Sequence, residues 1–503
     1  MKSQPQEYLW SFEDLERVLK THYEHPDIDR VRDAYLYAKE AHGTKRRYSG
    51  ASYIIHPIAT AVRLAEMQLP LEIVIAGLLH DVPEDTDRTL EDVQEAFGED
   101  IASMVAGVTK LGKVKYRGID RYAENLRKMF LAMAADVRVV FIKFADRLHN
   151  VETLFAMPEH KRQRVAKEVL EIYAPIAGRL GMGEMKGRLE DNAFRYAMPQ
   201  EYDAAKTLFD QQVQVRTDDI EFTIAEARTQ LQKAHIPIQY ISGRRKFLYS
   251  FWRKLQSYHG DVSKIYDLIA IRMIVDSVTD CYAALGILHS HWVPLKGRIK
   301  DYIAQPKPNG YQSLHSTVLD EHCGIVEFQI RTKDMHNEAE FGVAAHWHYK
   351  QHGSEDPPKI PWMQDLIDIH KEISSGKDFL KHLDEVKLDM FQDRIFVLTP
   401  EGDVIDLPEG STPVDFAYHI HTDVGNKCVS ASVNDHAVPL DLPLKSGDLC
   451  IIVTDKKRKG PNPDWLKFVK THHAQSKIRA ATRNRVRQWI DGMMGAATKT
   501  KRI

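Results

Sequence analysis

At 503 residues the chain is too long for one ordinary core, so two to four domains are expected. With 43% hydrophobic and 28% charged residues it reads as a globular protein, and a disordered or fibrous chain is excluded. The formal net charge of −2 excludes bulk attraction to nucleic acid, but Lys456–Ile503 carries 14 Lys+Arg against 2 Asp+Glu. That segment stands at +12 and the rest at −14, so a polyanion partner is expected for the tail alone. "MKSQPQEYLW" has no signal-peptide core, and no apolar run approaches the roughly 20 residues of a membrane span. Cys281, Cys323, Cys428 and Cys450 show no CxxC spacing, so neither a zinc finger nor a redox pair is written; a cytoplasmic protein without membrane contact is expected.

In chain order, residues 1–200 read as helices. "SFEDLERVLKTHYEH" offers a serine N-cap, and "HPIATAVRLAEMQL", "LEDVQEAFGEDIASMVAGV" and "YAENLRKMFLAMAADVRVVFIKFADRLHNVETL" keep helical spacing. "DVRVVFIKF" has strand propensity, but its continuation into "ADRLHN" favours helix. Residues 201–240 form a helical connector. From 241 to 353 the short apolar run "IYDLIAIRMIV" and the alternating "IVEFQIRT" read as strands, with "TDCYAALGILHSHW" as helix, giving an α/β domain. A Gly/Pro/charge linker covers 354–388. Residues 389–455 hold a hairpin with a "PEGD" turn, then "VDFAYHIHTDVG" as helix and further strands, which suits a β-grasp module. A basic helical tail closes the chain over 456–503.

Two constellations carry chemistry. His56, His80, Asp81 and Asp146 would come from three helices, as a bundle-core metal site needs. A lone histidine at a helix end is usually a core residue. For the set together a divalent cation is the simplest reason to collect the carboxylates, since burying them uncompensated costs several kcal/mol. On helices His80/Glu84, Asp81/Asp85 and Asp146/Asn150 are i,i+4 pairs, and Pro83 is expected to end or distort the first helix. The second constellation joins the basic and aromatic stretches "GRRKFLYSFWRKL" and "KGRIKDYIAQPKPNGYQSLH" to two strand acids, Asp267 and Glu327. Arg244, Lys246, Arg253, Lys254, Lys296, Arg298, Lys300 and Lys307 can hold phosphates, Tyr311 offers a stacking face beside His315, and the two acids can bracket Mg²⁺.

These residues carry a resemblance. The H…HD…D set with "RRYSGASYIIHP", "LLHDVPEDT" and "LEIYAPIAGRLGM" resembles the HD hydrolase domain of the RelA/SpoT homologues. Residues 240–350 resemble that family's nucleotidyltransferase-like synthetase domain, and "DRIFVLTPEGDVIDLPEGSTPVDFAYHIHTDVGNKC" its TGS module. The resemblance implies a multidomain α and α/β fold: an all-helical hydrolase domain, an α/β synthetase domain, a β-grasp TGS domain and a basic helical tail. It implies Mn²⁺ on His56, His80, Asp81 and Asp146, with Glu84 and Asp85 activating water and Arg47 and Asn150 touching the nucleotide. In the synthetase it implies Asp267 as Mg²⁺ ligand and Glu327 as second carboxylate. Arg244, Lys246 and Arg272 would hold ATP, Tyr311 would stack on guanine, and Lys300 and Asn309 would lie near the acceptor. "RIKD", which contains Arg298, is the basic form found in bifunctional members; Arg245 departs from a common proline. The expected activity is bifunctional: pyrophosphate transfer from ATP to the 3′-OH of GDP or GTP, and (p)ppGpp hydrolysis. The alternatives are a hydrolase with a nucleotide-sensing pseudo-synthetase, or a sensor bound to tRNA or the ribosome through His419 or His421 and the tail.

Overall fold

The computed structural model describes residues 9–112, 132, 135–214, 217–265, 268–307, 309–321, 324–345, 394–458, 460–471 and 473–482. The chain divides into two compact units, Met1–Ser374 and Ser375–Ile503. Among the described residues no helix is long and apolar enough to cross a membrane.

The first unit opens with helices. Ser11 starts the helix Phe12–His22 through a capping box: its hydroxyl accepts from Asp14 N, and Asp14 Oδ2 accepts from Ser11 N at 3.0 Å. The helix Ile55–Glu66 buries ten of its twelve residues, so it lies at the centre of the bundle. It packs against Phe12–His22, Leu71–Leu79 and Arg138–Glu152. Arg138–Glu152 contains the stretch with strand propensity; burial of Val139, Val140, Phe141, Ile142 and Phe144 inside the bundle overrides that local preference. The run "LEDVQEAFGEDIASMVAGV" is two helices, Leu90–Phe97 and Glu99–Gly112, because Gly98 at φ 94 stops the first. Most of the stretch before Arg138 lies outside the described residues.

The connector is the helices Pro199–Gln214 and Thr217–Lys233. A five-stranded sheet follows. Its strands are β1 (Ile238–Arg245), β2 (Ile269–Val275), β3 (Val293–Asp301), β4 (Leu314–Asp320) and β5 (Gly324–Thr332), in the order β1-β2-β5-β4-β3. Only β2 and β5 pair in parallel. The two-residue period splits the faces. Ile241, Ile271, Met273, Phe328, Ile330, Leu314 and Val318 join Cys281, Ala284 and Leu288 of the helix Val278–His291 in one apolar core. The register puts Arg244 and Arg272 with Glu327, Gln329 and Arg331, and then His315 and Lys300, on the opposite, polar face.

The helix Gly183–Ala197 links the bundle to this sheet. Arg188 reaches Glu152 at 3.1 Å and Glu66 at 3.6 Å in the bundle. Asp191 accepts from Leu248 N and Tyr249 N at 3.0 and 2.8 Å, capping the helix Leu248–Ser257, whose own N-cap Phe247 supplies no side-chain bond. A Cβ on Gly187 would stand 2.1 Å from the Phe247 ring, so only glycine permits this approach.

In the second unit β6 (Arg394–Leu398) and β7 (Val404–Pro408) form the expected hairpin, with Gly402 at φ 93 in its turn. A second sheet has the order β10 (Cys450–Thr454), β8 (Cys428–Val433), β9 (His436–Val438). "VDFAYHIHTDVG" is two helices, Pro413–Ile420 and Thr422–Lys427, broken where His421 adopts extended backbone and caps the second. The segment after Asp455, read above as a tail, begins as part of this core. Trp465, Val469, Ala474 and Ile478 pack with Val414, Ala417 and Tyr418. The fully buried Asp415 fixes it there by accepting from Lys470 N at 2.9 Å, Thr471 N at 2.7 Å and the Thr471 hydroxyl at 2.9 Å. The basic residues after 482 lie outside the described residues.

Candidate active sites

The first site forms where three helices meet. His56 enters at the start of Ile55–Glu66, His80 and Asp81 follow Leu71–Leu79, and Asp146 faces them from Arg138–Glu152. The chain breaks at His80–Asp81 rather than beyond Pro83. Proline cannot donate backward, but it suits the first turn of the new helix Val82–Asp85. Ligand atoms of His56, His80 and Asp146 lie within 4.8 Å of one another, and all three residues are buried. His56 Nε2 is 3.3 Å from Asp146 Oδ1 and 3.5 Å from Asp81 Oδ2. His80 Nε2 is 3.1 Å from Asp81 Oδ1.

The donor set fits a divalent cation. His80 Nδ1 lies 2.7 Å from the Gly77 carbonyl, so it carries the proton and leaves Nε2 as a lone pair aimed inward. That buried Nε2 has no hydrogen-bond partner among the described residues. His56 Nδ1 meets His149 Nδ1 at 2.9 Å, which permits the same orientation. Burial pulls the His56 imidazole below its usual pKa despite the nearby Asp146 and Asp81. Burial works against the Asp146 carboxylate, but Lys143, at 2.7 Å, outweighs it and keeps its pKa well below normal. Burial likewise opposes ionised Asp81, and positive charge at His80 and His56 overcomes it, a charge that a bound cation would supply where the imidazoles are neutral. Two ionised carboxylates against one ammonium leave negative charge for a cation to balance.

Around this core stands a polar rim. The Tyr53 hydroxyl contacts Asp81 Oδ2 at 2.9 Å and Asp85 Oδ2 at 2.5 Å, and Lys45 pairs with Asp85 at 2.9 Å. Glu84 is exposed on the short helix beside Asp85. Arg47 donates to Asn150 Oδ1 at 3.4 Å and Thr153 Oγ1 at 2.9 Å, while Asn150 Nδ2 donates to Asp146 Oδ1 at 2.5 Å, so the 146/150 pair does share a face. Sequence reasoning missed Lys143, His149 and Tyr53. Lys143 stands three residues before Asp146 and His149 three after, so helical spacing from the aspartate was the available signal.

The second site lies on the polar face of the sheet. Glu327 on β5 sits 3.3 Å from His315 Nδ1 and accepts from Gln329 Nε2 at 2.8 Å. The Tyr311 hydroxyl and His315 Nε2 are 2.7 Å apart. Lys307 lies 5.1 Å from the Tyr311 ring centre and 4.6 Å from that of Tyr302. Burial, followed by Lys300, pulls the Lys307 ammonium down to about 8. Asn309 holds the turn before Tyr311 by accepting from Tyr311 N at 3.3 Å. Arg244 and Arg272 converge on Glu340, a residue the sequence reading did not select. Lys246 is half-buried just past β1, and its N–H donates to Leu268 O. Arg298 and Lys300 are exposed on edge strand β3, with Lys300 opposite His315. Asp267 lies outside the described residues. In the second unit Tyr418 is buried while His419 and His421 are exposed.

Three family profiles match in chain order: "HD domain" over residues 34–183, "Region found in RelA / SpoT proteins" over 243–354, and "TGS domain" over 395–454. The chain is 43% identical over 95% of its length to a guanosine-3′,5′-bis(diphosphate) 3′-pyrophosphohydrolase of Aquifex aeolicus, spanning 67% of that protein. It is 44% identical over 92% of its length to a GTP pyrophosphokinase of Myxococcus xanthus, spanning 61%. It is 44% identical over 95% of its length to the bifunctional (p)ppGpp synthase/hydrolase SpoT of Escherichia coli, spanning 68%. The domain order and these relatives agree: the chain belongs to the RelA/SpoT family of (p)ppGpp synthetases and hydrolases.

Proposed function

We propose that the chain runs two opposed reactions on separate sites: pyrophosphate transfer from ATP to the 3′-OH of GDP or GTP on the sheet, and 3′-pyrophosphate hydrolysis of (p)ppGpp in the bundle. The carrying observation is that two chemically distinct clusters assemble in one unit, His56/His80/Asp146 in the bundle and Glu327/His315/Tyr311 on the sheet. In the bundle His56, His80, Asp81 and Asp146 would hold Mn²⁺. When bound, such an ion lowers the pKa of a coordinated water toward neutrality and offsets phosphate charge. Asp85 and Glu84 stand at the rim to accept a proton, Tyr53 holds Asp85 against Asp81, and Arg47 with Asn150 receives the nucleotide. On the sheet Glu327 receives the 3′-hydroxyl proton, Tyr311 stacks on guanine, and Lys300, Lys307 and Asn309 face the acceptor. Arg244, Lys246, Arg272 and Arg298 take the ATP phosphates, with Asp267 and Glu327 as Mg²⁺ ligands. Incubation with ATP, Mg²⁺ and GDP should yield ppGpp, and incubation of ppGpp with Mn²⁺ should yield GDP and pyrophosphate. A chain that only hydrolyses would reduce the sheet to a nucleotide sensor.

The second unit supports an RNA contact, because His419 and His421 face solvent on a module followed by a basic segment. The expected result is tRNA binding that weakens steeply with salt and falls in a His419→Ala/His421→Ala double variant; equal binding by both proteins would refute it. Truncation after Asp455 is the wrong test, since it removes Trp465 and Ile478 from the core.

A further inference from the structure

Glu340 lies in the helix Lys333–Phe341 and is buried beneath the polar face of the sheet. One of its oxygens, Oε1, is the meeting point of three guanidiniums: Arg272 Nη2 at 2.9 Å, Arg331 Nη2 at 3.4 Å and Arg244 Nη1 at 3.5 Å. His336 Nδ1 stands 3.9 Å away, one turn earlier on the same helix. Three cations on one oxygen is how a phosphate oxygen is held.

The cluster also has donor capacity to spare. Arg272 is only partly buried, yet its Nε has no hydrogen-bond partner among the described residues. Buried N–H groups without acceptors are costly, so the arrangement is poised for more anion than Glu340 supplies. Among the described residues the other acid in reach is Glu184, 3.8 Å from Arg244 Nη2 and partly exposed. Burial draws the Arg272 guanidinium down to about 10 even with Glu340 beside it. Without an internal anion the three arginines would repel one another in the empty protein.

We propose that the Glu340 carboxylate is an internal counter-anion occupying the place of a polyphosphate oxygen, which holds Arg244 and Arg272 ready and competes with the incoming triphosphate for them. Arg331, too buried to touch a ligand, is a positioning residue that anchors Glu340 from below. The proposal deepens the synthetase reading and rests on it for the ligand being a nucleotide, but not for the existence of an anion site. The competition sets a threshold: the triphosphate binds only when it outbids a carboxylate already in place.

The test uses the full chain and inorganic tripolyphosphate, followed by calorimetry. Glu340→Gln keeps the shape and removes the charge. It should tighten tripolyphosphate binding about tenfold and steepen its salt dependence, because one competing charge is gone from a partly buried site. Glu340→Asp, which draws the carboxylate back, should tighten it less. A structural role would weaken binding in both variants, so unchanged or weaker binding overturns the proposal, as does absence of binding in all three proteins. (p)ppGpp hydrolysis in the other site reports that each variant is folded. A parallel ATP titration separates the two claims: tripolyphosphate binding with the predicted ranking but no ATP binding would sink the nucleotide reading and leave the counter-anion standing.

Discussion

Asp81→Ala is expected to lower (p)ppGpp hydrolysis by roughly a thousandfold, about 4 kcal/mol of transition-state stabilisation, while pyrophosphate transfer stays within twofold of wild type. Asp81 touches the site from two sides: its Oδ1 faces His80 Nε2 at 3.1 Å and its Oδ2 takes the Tyr53 hydroxyl at 2.9 Å. Its loss removes one of the two negative charges proposed to hold the cation and frees Tyr53 from its fixed place beside Asp85. Asp146→Ala looks equivalent but is a poorer test. It strands the buried Lys143 ammonium, now 2.7 Å from Asp146, at a cost of several kcal/mol of folding stability. Asp81 is less buried and, among the described residues, pairs with no lysine or arginine, so its effect reads out on chemistry. Manganese binding followed alongside the two assays should fall with hydrolysis. Hydrolysis surviving within tenfold of wild type would remove Asp81 from the site.

Glu327→Gln should have the mirror effect: synthesis falls by about 10² to 10⁴, the range for a lost general base, and hydrolysis is untouched. Glutamine preserves the shape that packs against Gln329 and His315 but neither takes the 3′-hydroxyl proton nor attracts a cation. If both reactions fell together, the two sites would not be chemically separate. If synthesis persisted, another acid would be the base.

The hydrolase site was legible because its chemistry is concentrated in residue identity. His56, His80, Asp81 and Asp146 are unusual in apolar helical text, and helical spacing brought Asn150 onto Asp146. Lys143 and His149 were not legible, because a lysine or histidine in a helix is ordinary until its burial is known. On the sheet, alternation in "IVEFQIRT" located β5 and put Glu327 on the polar side, while Arg331 and Glu340 escaped notice. Their importance comes from β2–β5 pairing and from a helix folding back under it, which no local pattern encodes. The packing of the tail's start was not legible for a similar reason. Its charge was conspicuous, but Trp465 and Ile478 decide where it goes, and Asp415, a helix-start acid in "PVDF", gave no sign of holding Thr471.

The helix Gly183–Ala197 has one further consequence. Its attachments at Glu184, Gly187, Arg188 and Asp191 fall within about two turns, a rigid span of roughly 11 Å. Such a short rod has no internal joint, so Arg188, which holds the bundle through Glu152, stands about one turn or less from Glu184, Gly187 and Asp191, which hold the sheet side. A substitution at any of these four positions is therefore expected to lower both synthesis and hydrolysis, unlike one made within either cluster.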